Sequence, residues 1–327
     1  MMRFFEYLEQ GPGLDVTAWF HQGGETILYW LLMPFHWLGS EAAALLILPI
    51  VYWSLNKDLG KKLLKVTLLS QALSLGMKYW GSRPRPFHVK PERFTPIHEY
   101  AEPGWPSGHT IFGTSLGLCA ASFTRNKGVK LFWAFFIIIM GLSRLVHGVH
   151  YPQDVLTGWL VGFLAYWAVI SLDRQICHRT QSWSWKTKIF VQLGLLLIVL
   201  VGVSVLPLKL EVVKGLLATL ATLLGAMLGW TLEPQWAPYS TNTIPLKHRI
   251  LRSIFGLILL AGIHLGVRWM YYAFAEELSF FWARLFYGGR YAFIGFVATL
   301  GVPLLFRVLK LSSVQNPAQG ESGAKSS

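Results

Sequence analysis

Successive runs of about 20 apolar residues, separated by short charged loops, restrict what this chain can fold into more than any other feature. A backbone that crosses hydrocarbon has to satisfy its own N–H and C=O groups, so each run has to form a helix. The runs fall at 27–55, 62–80, 108–123, 130–148, 153–172, 189–207, 213–231, 250–274 and 285–306. They predict an all-α fold, a polytopic transmembrane helix bundle of about nine spans. Gly39-Ser40-Glu41 interrupts the first run, which can either cross as one span or divide into a dipping helix over 27–38 and a short span over 42–55. With 53% hydrophobic and only 14% charged residues, the chain lacks the polar surface of a soluble protein.

The flanks read differently. Residues 1–24 mix Glu6, Glu9 and Asp15 with Phe and Leu; without an uninterrupted apolar run they read as a surface-lying segment and not as a cleavable signal. Residues 311–327 are rich in Ser, Gly, Gln and Ala and read as a disordered tail. Cys119 lies in an apolar run and Cys177 in a basic loop, so no disulfide framework is available.

The formal charge of +13 is spread over alternate loops and forms no single stripe, which argues for membrane orientation and against a nucleic-acid partner. Lys57, Lys61, Lys62 and Lys65, then Arg125, Lys127 and Lys130, then Arg174, Arg179, Lys186 and Lys188, then Lys247, Arg249 and Arg252, and finally Arg307 and Lys310 mark one side as cytoplasmic. Lys209 and Lys214 fall on the other side and weaken the bias slightly.

Ionisable groups beside hydrocarbon mark sites, and three short runs hold most of them. The first is Lys78, six residues, then Arg85-Pro86. The second is Pro106-Ser107-Gly108-His109. The third is Ser143-Arg144, five residues, His150, three residues, Asp154. All three fall on the non-cytoplasmic set of loops. Lys78, Arg85 and Arg144 can cradle a phosphate, the two arginines by bidentate contact and the lysine as a point charge. Pro106-Ser107-Gly108 opens an apolar run, so Ser107 sits near an N-cap beside free backbone N–H groups and can cap the helix, contact an anion, or both. His150 and Asp154 are four apart around Pro152, so the carboxylate can hold one imidazole nitrogen and leave the other nucleophilic. Ser143 can contact phosphate or only pack.

The order and spacing of these runs resemble the type 2 phosphatidic acid phosphatase family, over about residues 25–175. The resemblance implies a helical catalytic core and carries roles to matching positions. His150 attacks phosphorus to form a phosphohistidine, Asp154 orients it, and His109 protonates the leaving oxygen and then activates water. Lys78, Arg85, Ser107, Gly108, Ser143 and Arg144 bind the substrate. In layout the chain is similar to the glucose-6-phosphatase and sphingosine-phosphate phosphatase branch.

His147, His150 and Asp154 can also be read as a metal site, but no further ligand stands at a fixed spacing and three nearby cations would repel a divalent ion. No metal or other cofactor is expected. The Pro-rich loop 81–105 reads as a lid, with His88 and His98 as loop or substrate-contacting residues and Tyr100 and Trp105 as substrate-facing or interfacial aromatics. Residues 186–310 read as accessory transmembrane helices, in which Arg268, Arg284 and Arg290, with Glu276 and Glu277 between them, are candidates for contacting a headgroup or the catalytic half.

The expected function is a membrane-embedded, metal-independent phosphatase acting on a phospholipid or isoprenoid phosphate or diphosphate at the outer face of a bacterial inner membrane. Alternatives are a phosphatase for a soluble sugar phosphate, a lipid phosphotransferase and a non-catalytic anion transporter. Nothing in the residues points to an oligomeric state.

Overall fold

Helical propensity and capping turn the apolar runs into the elements expected of them. The computed structural model describes residues 2–21, 26–96, 100, 102–242, 244–274 and 277–312, and no strand occurs among them. The helices are α1 (Met2–Gln10), α2 (Pro12–His21), α3 (Ile27–Leu31), α4 (Met33–Leu38), α5 (Glu41–Ile50), α6 (Lys57–Gly81), α7 (Pro86–Val89), α8 (Gly108–Ser122), α9 (Lys127–Val146) and α10 (Pro152–Thr180). They continue with α11 (Trp185–Ser204), α12 (Leu210–Trp236), α13 (Leu246–Phe274), α14 (Phe280–Phe296) and α15 (Val302–Val308). Starts are written locally: Ser107, Asn126 and Ser184 accept hydrogen bonds from backbone N–H groups of the first turns of α8, α9 and α11. π-helical turns follow α5 and α14, at Val51–Leu55 and Val297–Gly301.

Among the described residues six segments are long and apolar enough to cross a bilayer, namely α9 to α13 and the run from Phe280 to Val308. The pair 27–38 and 42–55, bent by 60°, makes a seventh if counted as one span. The protein is therefore a multi-pass helical membrane protein. The expected spans at 62–80 and 108–123 do not meet the same measure. α8 has 15 residues, about 22 Å at 1.5 Å per residue against a hydrocarbon layer of roughly 30 Å. α6 is longer but carries Lys57, Asp58, Lys61, Lys62, Lys65 and Lys78.

The chain forms two compact units, and their borders differ from the expected divisions at residues 25, 175 and 186. The first comprises residues 1–47, 62–179 and 209–219, and the second residues 48–61, 180–208 and 220–327. Residues 48–61 join the second unit because Tyr52 and Trp53 pack with Tyr239, Val302, Phe306 and Leu311, and Trp53 Nε1 donates to the Ala298 carbonyl (2.8 Å). In the same unit Arg284 donates to the carbonyls of Ser204 (2.7 Å) and Leu206 (3.4 Å), closing the end of α11. Arg290 stacks over Tyr271, Tyr287 and Tyr291, and Arg268 lies over Tyr272. Glu276 and the tail beyond Ser312 lie outside the described residues.

In the first unit, α1 and α2 are surface-facing on one side only. Tyr7 and Trp19 are exposed, while Glu9, Leu14, Thr17 and His21 are buried. Arg83 Nε donates to Glu9 (2.8 Å) and its Nη2 to the second carboxylate oxygen. Leu14 packs with Phe87, Phe94, Val149 and Tyr151 behind the corner that joins α9 to α10. Each such side chain, fully buried, contributes roughly 1.5–3 kcal/mol, so that corner is held from behind.

Gly158 and Gly162, one turn apart on α10, let α8 approach closely. A Cβ at Gly158 would stand 2.8 Å from Thr110 Cβ, and one at Gly162 would stand 2.7 Å from Thr114 Cβ and 2.8 Å from the Ile111 carbonyl oxygen. This contact sets the start of α8 against the start of α10. Gly162→Val is expected to destabilise the protein by about 1–3 kcal/mol through overpacking and to lower activity with it. Thermal unfolding in detergent checks this, and an unchanged midpoint would contradict the close packing.

Candidate active site

The site grows from the corner between α9 and α10. Ser143 and Arg144 occupy the last turn of α9, and Gly148, at φ +66°, turns the chain in a conformation other residues rarely adopt. Pro152 then starts α10 and puts Asp154 in its first turn. Asp154 Oδ2 accepts the Tyr151 N–H (3.0 Å) and a hydrogen bond from His150 Nδ1 (3.2 Å). On the other edge of the ring, Arg85 Nη1 lies 3.2 Å from His150 Nε2 and also donates to the Val149 carbonyl (3.2 Å).

A guanidinium can only donate, so His150 Nε2 is an acceptor and the ring proton sits on Nδ1, facing the carboxylate. That tautomer is the one a nucleophilic imidazole needs, with the Nε2 lone pair turned away from the carboxylate and, here, engaged by Arg85. Burial pushes the His150 pKa well below its usual value, and the charges of Arg85, Lys78 and Arg144 push it the same way.

The start of α8 is tied to the same corner, because Ser107 N–H donates to the Asp154 carbonyl (3.1 Å). Ser107 Oγ accepts from the Thr110 N–H (3.4 Å) and the Thr110 hydroxyl (3.0 Å), so it works as a helix cap. Gly108 leaves the first turn of α8 without a side chain, and His109 follows it. The His109 ring is stacked on that of His36, with centroids 5.6 Å apart and planes inclined by 18°. His109 Nε2 is buried without a hydrogen-bond partner.

Lys78, Arg85 and Arg144 are 7%, 2% and 0% exposed, and among the described residues a carboxylate side chain bonds directly only to the first of them. Glu102 accepts from Lys78 (2.6 Å), and its backbone carbonyl accepts from Arg85 Nε (3.0 Å). Burial would raise the Glu102 pKa, but Lys78 and then Arg85 outweigh it and hold the carboxyl below its usual range. The face of Arg85 lies 4.2 Å from the centre of the Tyr100 ring.

Arg144 is surrounded by neutral acceptors. Its Nε donates to Ser143 Oγ (3.1 Å), its Nη1 to His36 Nδ1 (3.3 Å) and its Nη2 to His147 Nδ1 (3.2 Å). His147 Nε2 in turn meets the Tyr29 carbonyl (3.2 Å), so both its nitrogens are committed. Burial and the neighbouring Arg144 hold the His147 pKa down at about 3, which keeps the ring neutral. A buried cation costs several kcal/mol unless it is paired, and among the described residues no carboxylate bonds to Arg144, so the arrangement suits an incoming anion.

The residues singled out from the sequence thus fall into one connected set. Arg85, His150 and Asp154 form a chain, Lys78 joins through Glu102, and Ser143 is bonded to Arg144. His109 joins through His36, and Ser107 through the backbone of Asp154. His88 is exposed on α7 beside Phe87, and His98 lies outside the described residues. Trp105 is buried and donates to Thr157 (3.1 Å), which makes it a packing residue of this unit. His36, His147 and Glu102 are site members that the spacing did not assign. The only signal for His36 was an ionisable group inside an apolar run.

Residues 60–177 match the PAP2 superfamily, and residues 217–314 match the transmembrane extension of PAP2 superfamily phosphatases. The chain is 30% identical over 121 residues to the bacitracin transport permease protein BcrC of Bacillus licheniformis, covering 36% of this chain and 58% of that protein. It is 30% identical over 154 residues to glucose-6-phosphatase 3 of Rattus norvegicus, covering 39% and 44%. It is 30% identical over 140 residues to phosphatidylglycerophosphatase B of Haemophilus influenzae, covering 30% and 58%. The chain spans about half the length of these relatives. His36 and Tyr29 lie outside the stretch that matches the superfamily.

Glu102 is the carboxylate that an incoming phosphate meets at Lys78. Glu102→Gln keeps the hydrogen-bonding atoms and removes the charge, and is expected to tighten inorganic phosphate binding about two- to fivefold, the scale of a partly exposed ion pair. Titration calorimetry on the detergent-purified protein reads this. Weaker binding would mean that the carboxylate positions Lys78 and does not compete.

Proposed function

The chain belongs to the PAP2 superfamily, and on that premise we propose that it is a membrane-embedded, metal-independent phosphatase that hydrolyses a lipid phosphate or diphosphate through a phosphohistidine. The observation that carries this reading is the His150 ring, with its proton facing Asp154 and its lone pair facing Arg85. Binding of phosphate draws the N–H groups of Arg85 onto its oxygens and releases that lone pair. His150 Nε2 then attacks phosphorus as the bond to the leaving oxygen breaks, and His109 gives that oxygen a proton. In the second half, water donates a proton to His109 and attacks phosphorus, the P–N bond breaks, and inorganic phosphate leaves. Lys78, Arg85 and Arg144, with the backbone N–H groups of Gly108 and His109 at the start of α8, neutralise the charge on the equatorial oxygens. Ser143 holds Arg144.

Residues 25–175 form the catalytic core in this reading and residues 186–310 accessory helices. The site faces the non-cytoplasmic side of a bacterial inner membrane, because the basic loops lie at the opposite helix ends. A site at the ends of spanning helices lies where lipid headgroups lie. Substrates in this class are phosphatidic acid, phosphatidylglycerol phosphate, sphingoid-base phosphates and isoprenoid diphosphates. The relatives' names also include a sugar-phosphate phosphatase and a transport permease. Hydrolysis of lipid and sugar phosphates by detergent-purified protein in EDTA separates the first two. Vesicle flux that survives His150→Ala, with no phosphate release by the wild type, would favour transport.

His150→Ala is expected to reduce turnover to background, and His109→Ala to lower kcat by about 10²–10⁴, the range of a lost general acid. Phosphate release measured at saturating substrate checks both. The pH profile follows from the depressed His150 pKa. Protonation disables the nucleophile, so the acid limb of kcat/KM lies below the ordinary imidazole value of 6.5. An acid limb above that value would contradict a buried, cation-flanked free base.

A further inference from the structure

Arg144 is the most deeply buried of the three cations, and what holds it is unusual for a buried guanidinium. Carboxylates are the common partners of such a group. Here the two terminal nitrogens each meet the Nδ1 of an imidazole, His36 from α4 at 3.3 Å and His147 from the end of α9 at 3.2 Å. Since guanidinium groups only donate, both Nδ1 atoms are acceptors and both rings are neutral with the proton on Nε2. The Tyr29 carbonyl accepts from His147 Nε2 and fixes that tautomer. On the other side the Tyr100 hydroxyl lies 3.4 Å from His36 Nδ1.

We propose that His36 and His147 are positioning residues that clamp Arg144 from both sides with neutral acceptors, fixing its plane for a phosphate while leaving its full positive charge available. A carboxylate in either place would orient the guanidinium equally well, but it would also cancel its charge and repel a phosphate dianion. An imidazole acceptor avoids both effects. Each terminal nitrogen uses one N–H on a clamp residue and keeps the other, so the pair that remains can address two oxygens of one phosphate. His36 comes from the amino-terminal segment, outside residues 60–177, so the matched domain does not hold the whole device. The assignment rests on the phosphatase reading for its effect on turnover, but not for its effect on anion binding.

The test uses full-length protein in detergent, with inorganic phosphate as binding probe and a lipid phosphate as substrate. Asn places an amide oxygen close to where Nδ1 stands, whereas Ala removes the acceptor. His36→Ala is expected to weaken phosphate binding and raise KM about tenfold, the scale of one lost charge-assisted contact, with kcat changed much less, and His36→Asn should recover most of it. In an Arg144→Lys background, His36→Ala should then have no further effect, because it acts through the guanidinium. A loss confined to kcat that Asn does not rescue would assign His36 to the stack on His109 and overturn the clamp. So would equal effects of His36→Ala with and without Arg144. Phosphate binding that depends on Arg144 and His36 in a protein without hydrolysis would keep the clamp and remove the phosphatase reading. Hydrolysis untouched by His36→Ala would remove the clamp alone. Thermal unfolding of each variant separates these outcomes from misfolding.

Discussion

Among the described residues, Lys78, Arg85 and Arg144 share one nearly solvent-free space with the carboxylates of Glu102 and Asp154, and the excess of positive charge shapes the rest of that unit. Isolated charges in such surroundings are tolerated only where hydrogen bonds hold them and a counter-ion arrives. The hydrogen bonds are present: carbonyls of Val149 and Glu102 on Arg85, a hydroxyl and two imidazoles on Arg144. Burial pushes the His150 pKa down and the same cations add to it, so the features that would bind an anion also favour the neutral imidazole. In the proposed mechanism, binding and catalysis are coupled through one contact, that of Arg85 with His150, which phosphate would break before being attacked.

Rigidity of the corner between α9 and α10 comes from behind. Thr17 of α2 lies within 3.4 Å of the His150 carbonyl, and His21 meets the Val146 carbonyl at 2.9 Å and the Thr95 N–H at 3.2 Å. Together with the apolar cluster around Leu14, these contacts make the amino-terminal helices part of the scaffold of the site. They lie outside residues 60–177, the stretch that matches the superfamily.

Much of this was legible in the sequence because the chemistry is local. Ser143 to Asp154 is one helix end, one turn and one helix start, so the spacing itself dictates that the carboxylate reaches the imidazole. Lys78 and Arg85 flank the end of α6, and Ser107 precedes an apolar run, which is enough to place a cap. His36 and Tyr100 were not legible as partners of Arg144, because no spacing rule links positions so far apart in the chain. Only tertiary packing brings them together. Glu102 looked like one more polar residue in a Pro-rich loop until its distance to Lys78 was known. α8 is short and α6 opens on a run of charges, so neither meets the length and apolarity of a span although both are helices.

The central claim is that His150 Nε2 is the atom that bonds to phosphorus. Rapid mixing of the purified protein with a ³²P-labelled lipid phosphate, an alkaline quench that preserves phosphoramidates, and peptide mapping of the label test it most directly. The account predicts label on the peptide containing His150, absent in a variant lacking that imidazole. Label on His109, or turnover with no trapped phosphoenzyme under conditions where the second step is slowed, would contradict it.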